Sequence, residues 1–458
     1  MRLLLAGMLL LALLDFSSTP VAARPHHVRR DVVLDWNSIA LEAGVHDHSG
    51  TFGPAEQGGP TRTSRALAIV HVAMFDALNS IDPQALPYHT MAPSPDASID
   101  AAVATAAHRT LAAMYGLQVD WLDAAYSIYL AGIPNGAAKQ QGIDLGALVA
   151  EEILLLRAND GSEIGIPYLP SGQPGIHDVD PLNPGQGFLT PGWGAVTPFG
   201  LDGDFDLAAP PPPPHGSRAY AEAFNDVKSL GGDGVVTRTR RTKKQTEIGL
   251  YWAYDGAPGI GVPPRLYNQI ARTIAQETRN SVAENARLFA LVNVAMADAG
   301  IVCWRTKYTF NVWRPILGIR RADEDGNPRT QQDANWTPLC APASNQGGNN
   351  FTPPFPAYGS GHATFGAALF RTLERFYGTD RVPFTFVSDE LNGVTTDSEG
   401  NVRPYRPRSF RSLREAALEN ARSRIYLGIH WQFDADEGVA KGYAIGDNVF
   451  DNVLTSLP

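Results

Sequence analysis

The chain has 458 residues, of which 44% are hydrophobic and 18% are charged, as is typical of a globular protein and not of a disordered or fibrous one. At this length we expect about two or three compact units. The formal net charge of −10 argues against a nucleic-acid or anionic-membrane surface, because phosphate groups are bound by clustered lysine and arginine. A cationic pocket in so acidic a chain would therefore be informative.

The first 23 residues have the pattern of a secretory signal peptide. Arg2 supplies a positive charge, residues 3–14 form a short apolar run, and Val21-Ala22-Ala23 offers small residues for cleavage. The run is short for a transmembrane helix, although an uncleaved anchor is a second interpretation, and we expect no later membrane span. The mature protein is therefore expected to be secreted or periplasmic.

Helical periodicity dominates the rest of the chain. Residues 24–60 are polar and glycine-rich, and we expect a wrapping N-terminal arm there. Helices are predicted from Thr63 onward, near Tyr220, and over about 99–115, 137–157, 277–308, 361–377, 413–426 and 433–453. Regions rich in proline and glycine, at 167–214 and 323–358, are predicted to be long irregular loops, the first running over the surface.

These elements predict an all-α protein, because strand-like alternation is scarce. We expect helical bundles, in two units that resemble four-helix bundles joined by long Pro- and Gly-rich loops. The predicted division is a signal peptide (1–23), an N-terminal arm with a helical bundle and a long connecting loop (24–215), and a C-terminal helical bundle (216–458) that carries the candidate site. Cys303 and Cys340 are the two cysteines, and their spacing leaves a disulfide and free thiols equally open.

Three short segments of the C-terminal part could together bind a tetrahedral oxyanion. Lys307 and Arg314 are seven residues apart, so on a continuous helix, ended or bent by Pro315, they would lie on nearly the same face. Alone, such a pair is more often two solvated surface cations.

The second segment, Gly359-Ser360-Gly361-His362, precedes an apolar helical stretch, where free amides favour an anion. A flexible loop with a capping serine is the competing interpretation.

The third segment contains Arg424 and His430, with Gly428 predicted to end a helix between them and Asp434 placed to hold the histidine ring. A lone histidine is usually structural. However, three cations, a hydroxyl and two imidazoles at these spacings are what phosphate or vanadate chemistry requires.

The three segments, Lys307-x6-Arg314-Pro315, Ser360-Gly361-His362 and Arg424-x5-His430, resemble the signature shared by the vanadium-dependent haloperoxidases and the type 2 phosphatidic acid phosphatases. Residues 251–256, 304–307, 353–358 and 428–434 resemble the chloroperoxidases of the first family. The resemblance is strong over about residues 245–450 and weaker back to residue 31. One departure is Gly359, where the family often has proline.

The resemblance implies one vanadate per chain as the cofactor, with His430 as the single protein ligand of vanadium. The groups implied to hold the vanadate are Lys307, Arg314, Ser360, the Gly361 amide, His362, Arg424 and His430.

The resemblance also implies catalytic roles. His362 would act as the acid–base group, Lys307 would polarise the bound oxidant, and Asp255 would pair with an arginine of the site. Trp304 and Phe355 would line the halide side. Asp255 and Asp434 would support the site from behind.

The implied function is the oxidation of a halide, bromide or chloride, by hydrogen peroxide to hypohalous acid, with an organic acceptor left open. The alternative is a secreted acid phosphatase in which His430 attacks phosphorus and His362 protonates the leaving group. A non-catalytic oxyanion-binding protein is a third interpretation. The length of the chain and the apolar Trp304 and Phe355 beside the anion site favour the peroxidase.

Overall fold

The chain folds mainly into α-helices that pack around one long central helix. This computed structural model describes residues 31–201, 203 and 205–457, so the expected signal peptide lies outside the described residues. The helices in these ranges are α1 (Val32–His48), α2 (Gly59–Asn79), α3 (Ile99–Met114), α4 (Val119–Ala131), α5 (Ala137–Arg157), α6 (Arg218–Leu230), α7 (Lys243–Tyr251), α8 (Pro263–Thr278), α9 (Val282–Phe310), α10 (Pro315–Arg320), α11 (Gly361–Tyr377), α12 (Leu413–Tyr426) and α13 (Gln432–Asn452).

Two short strands accompany the helices. β1 (Phe384–Phe386) pairs antiparallel with β2 (Arg408–Phe410), with Phe384 opposite Phe410. The all-α prediction is confirmed. Helices α5, α11 and α12 have the predicted bounds, and their apolar periodicity together with serine caps such as Ser360 and Ser412 explains why.

The N-terminal arm predicted for residues 24–60 is helical over part of its described length, which the sequence pattern did not indicate. Helix α1 occupies residues 32–48, and its buried residues include Val32, Trp36 and Ala40, which recur at helical spacing. The polar composition around this stretch concealed the pattern, because the apolar face is narrow and is interrupted by Asn37, which is itself buried.

The predicted helix over about 277–308 is present as α9, although it begins later than expected, and no continuous helix joins Lys307 to Arg314. Helix α8 ends at Thr278, and α9 begins after a capping box formed by Ser281 and Glu284. At its other end α9 stops at Phe310, because Asn311 adopts a left-handed conformation with φ 50°. Arg314 therefore lies after this break, at the N-cap of α10.

Helices α4, α7 and α8 were not predicted. Helix α8 opens with Pro263 and Pro264, a pair that suggests a loop, although proline is well tolerated in the first turn of a helix. Helix α7 begins with Lys243 and Lys244 and has little apolar periodicity, and its capping box between Thr242 and Gln245 marks its start instead.

Helix α9 is the centre of the packing. It contacts α1, α2 and α8 as well as α11 and α13. Contrary to expectation, α9 is long and apolar enough by composition to span a membrane, yet 94% of its most apolar stretch is buried inside the fold. This burial is the behaviour of a core helix.

The loop at 167–214 is irregular as predicted, but it does not simply run over the surface. Trp193 and Phe199 are buried, and the amides of Phe199, Gly200 and Leu201 donate to the Asp298 carboxylate on α9. The described residues from Val32 onward form one compact unit by their contacts. The predicted division near residue 215 stays a prediction.

Candidate active site

The structure brings the three predicted segments together at one end of the central helix. Lys307 lies in the last turn of α9, Arg314 precedes α10, and Ser360 caps α11. Arg424 lies in the last turn of α12, and His430 lies in the connection to α13. All five are buried, so the interpretation as solvated surface groups does not apply.

The His430 ring is fixed in one tautomer by its two neighbours. Nδ1 lies 2.9 Å from the Asp434 carboxylate, and Nε2 lies 2.9 Å from Nη1 of Arg314. Because arginine can only donate, Nε2 must accept, so the proton is on Nδ1 and is donated to Asp434. Burial, followed by the charge of Arg314, holds the pKa of His430 well below its usual range. The ring is therefore neutral, with a lone pair on Nε2.

The two arginines are only partly satisfied by protein. Arg314 donates through Nε to the Phe355 carbonyl at 2.8 Å and through Nη1 to the Ile429 carbonyl at 2.8 Å. Arg424 donates through Nη2 to both oxygens of Asp255, at 2.7 and 2.8 Å. Nη2 of Arg314 and Nε of Arg424 are buried and have no hydrogen-bond partner among the described residues. These two groups remain as donors for a ligand.

Lys307 has a different environment. Its ammonium group donates to the carbonyls of Pro356, Ala357 and Gly359 at 2.8, 3.2 and 2.6 Å. Burial lowers the pKa of Lys307 to about 7. Lys307 thus fixes the loop before α11, and it must release one carbonyl to donate to an anion. Cys303, one turn earlier on α9, contacts the same Gly359 carbonyl and is a free thiol, as is Cys340.

The N-terminus of α11 presents Gly361 and His362 to the site. The first amides of a helix have no partner in the preceding turn, and the helix dipole makes this end positive. A Cβ on Gly361 would lie 3.6 Å from the Trp304 ring, so this backbone is in close contact with the apolar wall. The Ser360 hydroxyl, which is 3.5 Å from the Ala363 amide, is fully buried beside these amides.

His362 is held in the opposite tautomer to His430. Its Nε2 lies 2.5 Å from the Ala253 carbonyl and therefore carries the proton. Burial, and then the charge of Arg424, lowers the pKa of His362 well below its usual range. The neutral ring consequently has its lone pair on Nδ1, which makes it a base.

Part of the site opens onto a cavity of about 250 Å³, whose lining includes Asp255 and Gly361 but not Lys307, Arg314 or Ser360. His362, Arg424 and His430 form one part of its wall. Trp304 and Phe355 form an apolar part, with ring centroids 4.7 Å apart. The Phe355 ring also lies 4.9 Å from both the Lys307 ammonium and the Arg314 guanidinium carbon, so it screens the two cations from water.

The charges of the site do not balance. Arg314 and Arg424 are buried cations, and they face the side chain of Asp255, which is 6% exposed. Burial lowers the pKa of Lys307 and raises that of Asp434, both to about 7, so these two groups carry partial and opposite charges near neutral pH, while both histidines are neutral. Uncompensated buried charge is costly, so the site suits an oxyanion. In the described part of the chain no three His, Cys, Asp or Glu side chains cluster as ligands for a metal ion. A metal bound here would have to bring its own oxygens, as vanadate does.

Some residues around the site were not anticipated from the sequence. His48 at the end of α1 lines the same cavity, with Nδ1 on the Gly44 carbonyl and Nε2 accepting from the Gly59 amide. His177 is buried within the loop at 167–214, and the charges of Arg314 and Lys307 add to burial in lowering its pKa. No short sequence signal marks either residue, because the long-range fold brings both to the site.

Comparison with known proteins shows the family. Residues 287–457 match the family model described as the VCPO second helical-bundle domain. The chain is 35% identical to the vanadium chloroperoxidase of Curvularia inaequalis over 508 aligned positions, which cover 91% of this chain and 81% of that protein. The chain belongs to the vanadium-dependent haloperoxidase family. The resemblance of the three segments to the haloperoxidase signature is therefore confirmed for this haloperoxidase.

Solved structures show that the fold of this haloperoxidase is shared. The first bacterial vanadium-dependent iodoperoxidase matches with a TM-score of 0.74 and 21% identity, over 93% of this chain and 98% of that chain. The holo-type bacterial vanadium-dependent chloroperoxidase matches with a TM-score of 0.66 and 17% identity, over 86% of this chain and 92% of that chain. At such identities the likeness concerns the fold.

Proposed function

We propose that this haloperoxidase binds one vanadate at His430 and uses hydrogen peroxide to oxidise bromide and chloride. The halide would lose two electrons to peroxide and, with one proton, yield hypohalous acid and water. The excess of buried positive charge beside the Nε2 lone pair of His430 supports this proposal most directly. The similarity to the Curvularia inaequalis chloroperoxidase supports the same reaction.

The residues present fit the cofactor. Bound vanadate supplies a Lewis acid at which peroxide becomes reactive toward halide. His430 would bind it through Nε2, because Asp434 keeps the proton on Nδ1, and Nη1 of Arg314 would have to release Nε2 for this bond to form. The unpartnered N–H groups of Arg314 and Arg424 would neutralise its charge. The Ser360 hydroxyl and the Gly361 amide would complete the set of donors.

His362 would move the proton. His362 lines the cavity, and its Nε2 proton is donated to the Ala253 carbonyl, so Nδ1 is the ring atom that would accept a proton from peroxide and return it to the departing oxygen. Trp304 and Phe355 would exclude water from the halide, which is most important for chloride because chloride is held tightly by water.

An assay of the recombinant protein tests the proposal. After incubation with orthovanadate, we expect peroxide-dependent oxidation of bromide and chloride, inhibited by phosphate, and little hydrolysis of a chromogenic phosphate ester. His362→Ala should lower turnover by about 100-fold or more while vanadate still binds. Hydrolysis of the ester without halide oxidation would instead show the phosphatase.

We also propose that the protein is exported, which rests on the signal-like residues 1–23 alone. N-terminal sequencing of the protein from the culture medium or periplasm should show a chain that begins near Arg24. Recovery of the uncleaved protein only from the cytoplasm would contradict export.

A further inference from the structure

The segment 251–255, which begins at the last residue of α7 and continues toward α8, supplies two groups to the site. The Ala253 carbonyl accepts from Nε2 of His362 at 2.5 Å, which places the lone pair of that ring on Nδ1. Two residues later, Asp255 accepts from Arg424 through both of its oxygens. A shift of this short segment would therefore move the base and one of the anion-binding arginines together.

The same segment is fixed from its other side by residues 388–390, which follow β1. The Tyr254 amide donates to Oε1 of Glu390 at 3.3 Å, and the Tyr254 hydroxyl oxygen accepts from the Asp389 amide at 2.8 Å. The Ser388 hydroxyl donates to the Tyr251 carbonyl at 2.7 Å. Tyr254 has a left-handed conformation with φ 44°, which is unfavourable for a tyrosine, so these contacts hold the segment in a conformation it would not otherwise prefer.

Glu390 is the charged group of this support. It is fully buried, and its Oε2 accepts from Arg403 at 2.5 Å and from the Ser344 hydroxyl at 2.6 Å. Arg403 in turn donates to Ser344 at 2.7 Å. A carboxylate is needed here because its two oxygens face two different sets of donors: Arg403 and Ser344 on one side, and the Tyr254 amide on the other.

We propose that Glu390, paired with Arg403, is a positioning residue for halide oxidation. It acts through the segment 251–255 to orient His362 and Arg424, and it touches neither of them. This inference rests on the proposed function, because that function gives His362 and Arg424 their roles. Glu390→Gln should misplace both groups, since a glutamine has one acceptor oxygen for the two sets of donors and leaves either Arg403 or the Tyr254 amide without an acceptor.

A matched control separates positioning from a purely structural role. Asp160 is a buried carboxylate with the same pattern of contacts: Oδ2 accepts from Arg65 and Arg157, and Oδ1 accepts from the Ser162 amide. It does not line the cavity. Asp160→Asn should therefore reproduce the loss of a buried ion pair without the effect on the site.

Activity and anion affinity are measured first. For Glu390→Gln loaded with vanadate, we expect kcat for bromide to fall about tenfold or more and KM to change less than about threefold, because misplaced catalytic groups slow the reaction. Inorganic phosphate should bind the vanadate-free variant several-fold more weakly in calorimetry. Asp160→Asn should lose thermal stability while keeping kcat and phosphate affinity within about twofold. Equal losses in the two variants would overturn the proposal.

The orientation of His362 can be read without any activity. In the ¹⁵N-histidine spectrum of the vanadate-free wild type, the Nε2 proton of His362 should be protected from exchange with water by Ala253, and His362→Ala assigns it. It should weaken or vanish in Glu390→Gln and persist in Asp160→Asn. If Glu390→Gln does not fold, Ser344→Ala should give a smaller change in the same direction. An unchanged signal in the folded variants would overturn the proposal. A wild type without haloperoxidase activity would instead refute the proposed function, whatever the spectrum shows.

Discussion

Replacing Asp255 by asparagine should unbalance the charge of the site in a measurable way. The side chains of Asp255 and Arg424 are 6% and 1% exposed, and they share two hydrogen bonds through one guanidinium nitrogen. Removing one partner of a buried pair typically costs about 3–5 kcal/mol, because the other charge is left uncompensated. We therefore expect the unfolding free energy of vanadate-free Asp255→Asn to fall by roughly that amount in urea denaturation.

An oxyanion should recover part of this loss, since it would pair with the released Arg424. Saturating phosphate should raise the unfolding midpoint of Asp255→Asn more than that of the wild type. The control is Asp226→Asn. Its partner Arg422 lies on α12, as Arg424 does, but both side chains of this pair are 31% exposed. We therefore expect the unfolding free energy of Asp226→Asn to change by about 1 kcal/mol or less. If Asp255→Asn is no less stable than this control, the charge balance described for the site is wrong.

Two further predictions concern the turn before His430 and the core. Gly428 has φ 75°, and a Cβ there would lie 2.6 Å from the Gly231 carbonyl. Gly428→Ala should therefore lower the free energy of unfolding by more than the about 1–3 kcal/mol expected from backbone strain alone, and it should weaken vanadate binding. The control is Gly400→Ala, where φ is 86° and a Cβ meets nothing within 4 Å, so only the strain should lower the stability. Equal effects would contradict the steric account. Burial lowers the pKa of His71 to about 4. As pH falls, the unfolded chain therefore takes up this proton first, and about 3 kcal/mol of stability is lost between pH 6.5 and 4. In urea titrations, the unfolding free energy of His71→Gln should fall by about 3 kcal/mol less than that of the wild type between pH 6.5 and 4. The same pH profile in both proteins would contradict the prediction.

The parts of the fold that the sequence predicted well are those with local signals. Helix α11 could be predicted because an apolar face follows Ser360, and the turn at Gly428 could be predicted because glycine between Arg424 and His430 suits a helix end. The residues proposed to bind the anion share this property, since their spacing reflects local turns. The contact of Asp434 with the His430 ring follows from the first turn of α13.

The parts that the sequence did not predict depend on long-range contacts or on rare local conformations. The break between Lys307 and Arg314 requires Asn311 to adopt a left-handed conformation, which asparagine does only in some contexts. The Ala253 carbonyl is 109 residues away in sequence from His362, to which it is hydrogen-bonded, and Glu390 is 136 residues away from Tyr254. No short spacing in the sequence therefore identifies either contact. The N-terminal residues that reach the cavity, such as His48, are invisible for the same reason.

The most direct test of the site is the vanadium content of His430→Ala beside that of the wild type. After incubation with orthovanadate and removal of unbound ions, we predict one vanadium per wild-type chain, with vanadium bonded to Nε2 of His430 in a crystal structure. His430→Ala should lose both vanadium and bromide oxidation while retaining its fold. A variant that kept its vanadium and its activity would contradict the role of His430 at the centre of the site.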